Sequence, residues 1–389
     1  MQVSEIQEAL REQHLDGWLF VDHHRRDPLA YRVLGLEPAS DPTRRWFYLI
    51  PAEGEPKKLV HRIEAAVLDS LPGSKTAYSN WSELVDGLTR LVGGHRRLAM
   101  QYSPRCAVPY VSMVDGGTLE LVRSIGVEVC SSADLIQLFE ARWDQAKLES
   151  HLEAGRRVDA IRADAFRLVG ERTRAGTALT EWEVMQFIRA RFEAAGLVTD
   201  HGPIVGAQAN AANPHYEPTE HASREIRRGD VFLVDLWAKL KQPRSVYYDI
   251  TWTGFCGPQA PAEVDRVFQV VREARNRAIH RVQAATEKGE PLRGFEVDDA
   301  ARGYIKQQGF GDHFMHRTGH SIGEEVHGAG ANMDNLETHD ERKVIPWTCF
   351  SIEPGIYLQE FGVRLEVNVF VGDKKAIVTG EIQEELVLV

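Results

Sequence analysis

Hydrophobic and polar positions follow two different rhythms along the chain. From Ser4 to His14 the apolar residues recur at helical spacing, and then "GWLFVD" (17–22), "RRWFYLI" (44–50) and "KKLVH" (57–61) are apolar runs of strand length. That mixture predicts an α/β unit. Near Leu138–Leu148 the pattern changes to "LFEARWDQAKLESHLEAGRRVDAIRADAFRLV", charged, rich in good helix formers and apolar about every three to four residues. A long surface helix is expected there, and with it a boundary between domains at residues 1–143 and 144–389.

Beyond it the spacing predicts a second helix over Thr180–Ala195, with an N-cap signal in "ALTEWEV". Two strand runs follow, "DVFLVDLWAKL" and "SVYYDITWTGF", and then a long helix over Pro261–Lys288. The tail, "CFSIEPGIYL", "GVRLEVNVFV" and "EIQEELVLV", reads as antiparallel strands. Strands and helices in this order point to an α+β fold rather than to alternating βαβ units.

Within these apolar strands sit four acids: Asp235 in "FLVDLW", Asp249 in "VYYDITW", Glu353 in "SIEPG" and Glu366 in "VRLEVNV". One such residue is ordinarily a strand end or a satisfied ion pair, because a buried carboxylate is costly unless paired or bound to metal. Four of them in successive strands, with a glycine-flanked histidine nearby, suit a pair of divalent cations: bridging carboxylates neutralise two close charges and an imidazole completes one site.

Charge and cysteines narrow the partners. The 389 residues carry 46 Lys and Arg against 57 Asp and Glu, a formal charge of −11. With no sustained basic run, neither nucleic acid nor an anionic membrane has an electrostatic foothold. The longest apolar runs are too short to span a bilayer, and the polar start "MQVSEIQEALREQ" is unlike a signal peptide. Four scattered cysteines with no C-x-x-C pair indicate neither a disulfide framework nor a thiolate zinc site, and a cytoplasmic setting is expected.

The stretch "HRTGHSIGEEVHG" (316–328) supports two chemistries. Gly319 to Gly323 satisfies G-x-S-x-G, but a nucleophile elbow needs an apolar strand before it and an acid and a histidine well after it. "GFGDHFMHRT" is no such strand, and His327 and His339 follow too closely.

Taken as a histidine motif, the stretch resembles the H-x-x-G-H-x-h-G-x-x-x-H pattern of the pita-bread metallopeptidases, the family of methionine aminopeptidase, aminopeptidase P and prolidase. The resemblance extends in order through His215 in "NPHY", Asp235 in "VDLW", Asp249 in "YDITWT", His320 in "GHSIG", Glu353 in "IEPGIY" and Glu366 in "GVRLEV". "HLDGWLFVD" and "DPLAYRVLGL" resemble the creatinase-type N-terminal domain of prolidase and aminopeptidase P. The implied fold is therefore a C-terminal pita-bread catalytic domain behind a creatinase-type, mixed α/β N-terminal domain.

The resemblance also implies roles. Asp235 would chelate one metal, Asp249 and Glu366 would bridge both, and His320 and Glu353 would complete the second. A hydroxide held between the metals would attack the scissile carbonyl, and Glu353 would pass a proton to the departing proline nitrogen. His215, His316 and His327 would bind substrate and stabilise the tetrahedral intermediate, with Arg364 contacting substrate or supporting the site. Mn²⁺ is the implied metal, with Co²⁺ or Zn²⁺ also suited to the donor set. Xaa-Pro dipeptides or short proline-containing peptides are the implied substrates, and a homodimer or homotetramer the implied assembly.

The chain departs from the family in four places. "LWAKLKQPRSVYY" lengthens the link between the two aspartates, a change that a hairpin turn absorbs if the strand register is kept. Trp237 stands where the family has the glycine of D-h-G, and Trp252 where it has the arginine of D-I-T-R-T. These tryptophans either reshape the pocket or pack in the sheet. His201, fourteen residues before His215, replaces a tyrosine that prolidases and aminopeptidases P carry, so an imidazole substitutes for that phenol or its hydrogen bond is lost.

The leading expectation is a dinuclear Xaa-Pro dipeptidase, with aminopeptidase P as the alternative. A creatinase-like metal-free hydrolase and a non-enzymatic binding module both predict eroded ligand positions, and all five are intact.

Overall fold

The computed structural model describes residues 3–37 and 42–389. The chain divides into two compact units, Met1–Glu140 and Ala141–Val389. The first is built on a mixed sheet of β1 (Gly17–Asp22), β2 (Trp46–Pro51), β3 (Lys57–His61), β4 (Ser74–Tyr78), β5 (Arg97–Met100) and β6 (Glu128–Ser131), in the order β4-β3-β2-β1-β5-β6. β1 and β2 are buried along their whole length. Helices α1 (Val3–Glu12), α2 (Pro28–Leu34), α3 (Trp81–Val92), α4 (Gly116–Ser124) and α5 (Ala133–Ile136) complete this unit. Leu84, Leu88, Leu91 and Val92 of α3 pack on Leu19, Phe47 and Leu59 of the sheet.

The second unit opens with α6 (Gln145–Arg174), which starts later than the sequence pattern predicts. Asp144 fixes that start by accepting the Lys147 N–H at 2.8 Å, an N-cap contributing about 1 kcal/mol. Helix α7 (Glu181–Ala194) carries a full capping box between Thr180 and Glu183. The unit contains β7 (Leu197–Val198), β8 (Ile204–Ala207), β9 (Val231–Leu240), β10 (Tyr248–Phe255), β11 (Ser321–Ile322), β12 (Thr348–Ile352), β13 (Gly355–Tyr357), β14 (Gly362–Arg364), β15 (Val367–Val371), β16 (Ala376–Thr379) and β17 (Val387–Leu388). Its other helices are α8 (Ala262–Lys288) and α9 (Gly294–Gln307).

Strands β17-β10-β9-β7 form one sheet, with β8 also on β9, and β11-β12-β15-β16 form another. Each sheet has its own helical cover. Val234, Leu236 and Ala238 of β9 and Tyr248, Ile250 and Trp252 of β10 pack against α6 and α7. Val264, Val267, Phe268 and Val271 of α8 and Val297, Ala301 and Ile305 of α9 share a core with Phe350, Ile352, Val367 and Val369. Because strand side chains alternate, burying Val234, Leu236 and Ala238 turns Leu233, Asp235 and Trp237 to the opposite face.

The last strand corrects one expectation. Of "EIQEELVLV" only Val387–Leu388 is a strand, and it pairs parallel to Gly254–Phe255 of β10, not antiparallel. Among the described residues no helix is long and apolar enough to cross a membrane.

Candidate metal centre and active site

The β9–β10 hairpin sets the first two acids on one face. Asp235 pairs with Thr251 and Asp249 with Trp237, so the carboxylates sit two rungs apart on the same face of the ladder. Glu366 comes from the junction of β14 and β15, and Glu353 follows β12. His320 reaches the same place because Gly319 lets the chain lie against β12. A Cβ on Gly319 would stand 1.9 Å from the Ser351 carbonyl oxygen, so no larger residue fits.

Asp249, His320 and Glu366 each offer a ligand atom within 4.8 Å of the others, and all three residues are buried. His320 Nε2 lies 3.5 Å from Asp249 Oδ2 and 3.5 Å from Glu353 Oε1. Its Nδ1 sits 3.1 Å from the Ser321 carbonyl oxygen, so a proton on Nδ1 is donated there and the Nε2 lone pair faces the carboxylates. Burial lowers the His320 pKa, favouring that neutral form.

The carboxylates are held in an unfavourable state. Burial, opposed by Arg364 and reinforced by Asp249, raises Asp235 to about 6. Burial, opposed by Arg364 and reinforced by Asp200, raises Asp249 to about 7. Glu353 is raised by burial, and Glu366 is raised well above its usual range by burial and then by Asp249 and Glu353. One oxygen on each of three acids, Asp235 Oδ1, Asp249 Oδ1 and Glu366 Oε1, has no hydrogen-bond partner among the described residues. Buried, partnerless carboxylate oxygens crowded together require positive charge, and the oxygen-rich set with one imidazole fits divalent metal.

The remaining oxygens are fixed by protein donors. Thr251 Oγ1 donates to Glu366 Oε2 at 2.8 Å, and Ser351 Oγ to Glu353 Oε1 at 3.1 Å. Arg364 is buried and fully engaged: Nη2 donates to Asp235, Nε to Thr251 Oγ1 at 3.0 Å, and Nη1 to the Tyr357 hydroxyl at 3.2 Å. The same Nη1 is 3.4 Å from the Pro214 carbonyl oxygen, beside His215.

The other four histidines singled out in the sequence stand in four different situations. His316 is half-buried, with Nδ1 2.7 Å from the Arg317 carbonyl oxygen and Nε2 2.7 Å from the Tyr357 hydroxyl. Burial first, then Arg364, lowers it to about 3, so it is neutral and accepts the phenol proton at Nε2. His327 lies edge-on to His320 with ring centroids 4.3 Å apart, and its pKa is lowered chiefly by His320. His215 is exposed, within electrostatic range of His327. His201 stands apart: its side chain is 69% exposed and its Nδ1 is 3.4 Å from Asp200 Oδ2.

Sequence reasoning missed Tyr357 and Thr251. Both lay inside quoted motifs, "IEPGIY" and "YDITWT", yet an uncharged strand residue gives no signal until its neighbours are known. Ser321 is not poised as a nucleophile. It is 2% exposed and its hydroxyl accepts the Gly330 N–H at 3.0 Å.

The two tryptophans part company. Trp252 faces α6 and packs in the core beneath the sheet, with the Arg162 guanidinium 3.5 Å from its ring centroid. Trp237 is on the site face, opposite Asp249.

Comparison with known proteins agrees with this geometry. Residues 149–373 match the model of metallopeptidase family M24. A probable dipeptidase PepE of Mycobacterium tuberculosis is 25% identical over 348 residues, covering 88% of this chain and 84% of that protein. An Xaa-Pro dipeptidase of Pyrococcus furiosus is 33% identical over 175 residues, 44% of this chain and 45% of that one. Among solved structures, a recombinant prolidase from Thermococcus sibiricus superposes with a TM-score of 0.64 at 25% identity, covering 100% of this chain and 98% of its own.

Proposed function

The chain belongs to metallopeptidase family M24, and from that premise we propose that it is an Xaa-Pro dipeptidase that uses two divalent metal ions, Mn²⁺ by preference. The observation that carries this reading is that Asp249 and Glu366, two buried acids each with a partnerless oxygen, offer ligand atoms within 4.8 Å of those of a neutral histidine, with a third such acid, Asp235, on the same face of the hairpin. Asp235, Asp249, His320, Glu353 and Glu366 would hold the ions. The names of the relatives, a dipeptidase and an Xaa-Pro dipeptidase, favour dipeptides over longer peptides. Residues 144–389 form the catalytic domain in this reading, and the working assembly is a homodimer or homotetramer in the cytoplasm.

Bound there, the ions supply positive charge that polarises the scissile carbonyl and acidifies water. The chain's own groups do the rest. Glu353, half-buried beside His320, passes a proton to the departing proline nitrogen. His327 and His215, at the open side, donate to the carbonyl oxygen as it becomes negative. His316, Tyr357 and Arg364 form one hydrogen-bonded chain that holds Asp235 from behind.

The test is hydrolysis of Ala-Pro and Ala-Pro-Phe by metal-stripped protein with and without added Mn²⁺, alongside Asp249→Asn. Metal-restored cleavage of Ala-Pro alone, reduced about 100-fold or more in the variant, is the expected result. Cleavage mainly of the tripeptide would instead make the protein an aminopeptidase P. Cleavage of neither, with metal bound, would overturn the proposal.

A further inference from the structure

Metal binding does not use every position on the site face of the β9–β10 hairpin, and Trp237 is one that it leaves. Trp237 lies two residues beyond Asp235, about 7 Å along the strand, and directly opposite Asp249. It packs against the cluster of Ile204, Ala211 and Leu233 and against the one that includes Val246, Tyr247 and Ile322. Asp235, Asp249 and Tyr247 are buried on this face, whereas Trp237 keeps part of its surface open. A molecule approaching the carboxylates from that side meets the indole.

The indole is anchored. Its Nε1–H donates to Asp200 Oδ1 at 2.8 Å, and the same oxygen accepts the His201 backbone N–H at 3.0 Å. Asp200 is thus an exposed carboxylate fixed in direction. Through Trp237, which stands opposite Asp249, this carboxylate is tied to the site face of the hairpin, and it lies within electrostatic range of Asp249, Tyr247 and His327.

We propose that Trp237 and Asp200 form the wall that selects the residue on the amino side of the scissile bond: the indole admits only small side chains, and the carboxylate receives the substrate's α-ammonium. This rests on the dipeptidase reading above. In a dipeptide the scissile carbonyl and the α-ammonium belong to one residue, so an anion beside the metal ligands attracts that end. The same charge repels the distal carboxylate, which sets the direction in which substrate lies. Trp237 acts on size, and through its hydrogen bond it also positions Asp200.

Steady-state kinetics of the Mn²⁺-loaded, full-length protein on Ala-Pro and Phe-Pro decide the matter, with thermal unfolding of each variant measured in parallel. Trp237→Ala should raise kcat/KM for Phe-Pro relative to Ala-Pro by about tenfold or more. Trp237→Phe, which keeps the bulk and loses the donor, should leave that ratio within about twofold and raise KM. Asp200→Asn, which still accepts the indole N–H, should raise KM for Ala-Pro about tenfold with kcat nearly constant.

An unchanged substrate ratio in folded Trp237→Ala, or a loss confined to kcat in Asp200→Asn, overturns the inference while leaving the dipeptidase reading intact. Should Trp237→Ala not fold, the KM and kcat values of the other two variants decide it. A wild-type protein inactive on both dipeptides overturns the dipeptidase reading, and the inference falls with it.

Discussion

At the scale of single residues, burial decides which titratable groups are charged. His151 on α6 is fully buried between the Tyr247 carbonyl oxygen and the Thr379 hydroxyl, each 2.7 Å from a ring nitrogen. Desolvation lowers its pKa from 6.5 to about 4. In the unfolded chain it takes up a proton near pH 6.5, while the folded protein resists until about pH 4. The stability from keeping it neutral is complete above pH 6.5 and is lost progressively as pH falls from 6.5 to 4, amounting to about 3 kcal/mol at most. Urea unfolding at pH 7 and pH 5 should show wild-type protein losing more stability over that interval than His151→Gln. Equal losses would mean that His151 titrates normally in the fold. Trp252 shows the limit of residue-level reading from sequence: its identity gives no sign of which face it occupies, and the strand's alternation settles it.

Between elements, the centre depends on bonds that are not part of any sheet. β10 and β15 lie in different sheets, yet Asn368 donates to the Asp249 carbonyl oxygen and its own Oδ1 accepts the Asp249 N–H at 3.1 Å. The Glu366 N–H adds a bond to the Thr251 carbonyl oxygen at 3.0 Å. Asn368 therefore fixes the spacing between the strands that carry Asp249 and Glu366. Asn368→Ala should weaken Mn²⁺ binding about 10- to 100-fold in a calorimetric titration while the protein stays folded. An unaltered isotherm would reduce Asn368 to a packing residue. Strands β9, β10, β12 and β15 were legible in the sequence as apolar runs of strand length; Asp235 and Asp249 lie inside the first two, whereas Glu353 and Glu366, expected within strands, lie just outside the last two. Helix α9 was not: it buries the Asp298–Arg302 ion pair on its inner face, which breaks the apolar stripe that periodicity detects. The start of α6 was misplaced because residues 138–144 share its composition, and only the Asp144 cap marks the true beginning.

For the molecule as a whole, the acids proposed as metal ligands are a stability problem that binding would solve. Buried acids with raised pKa values repel one another, and each ion that binds only the folded state adds about 2.7 kcal/mol at a hundredfold excess over its Kd. The melting temperatures of wild type and Glu366→Gln should consequently cross over. In chelator the variant should melt higher, because a carboxyl whose ionisation burial and its acidic neighbours oppose is gone, and in Mn²⁺ the wild type should melt higher. A variant less stable than wild type under both conditions would show that Glu366 holds the fold together by its hydrogen bond to Thr251 rather than straining it.

The register of β9 and β10 also has a meaning for the gene. Because strand side chains alternate with a period of two, one codon inserted upstream of Asp235 within β9 would turn Asp235 and Trp237 toward the helices and Leu236 toward the candidate metal centre. One codon inserted in the link between β9 and β10, residues 241–247, leaves every paired position where it was. Lineages descending from this sequence should carry their insertions and deletions in that link and almost none in the strands. The added length in "LWAKLKQPRSVYY" is then a record of where such a change could survive.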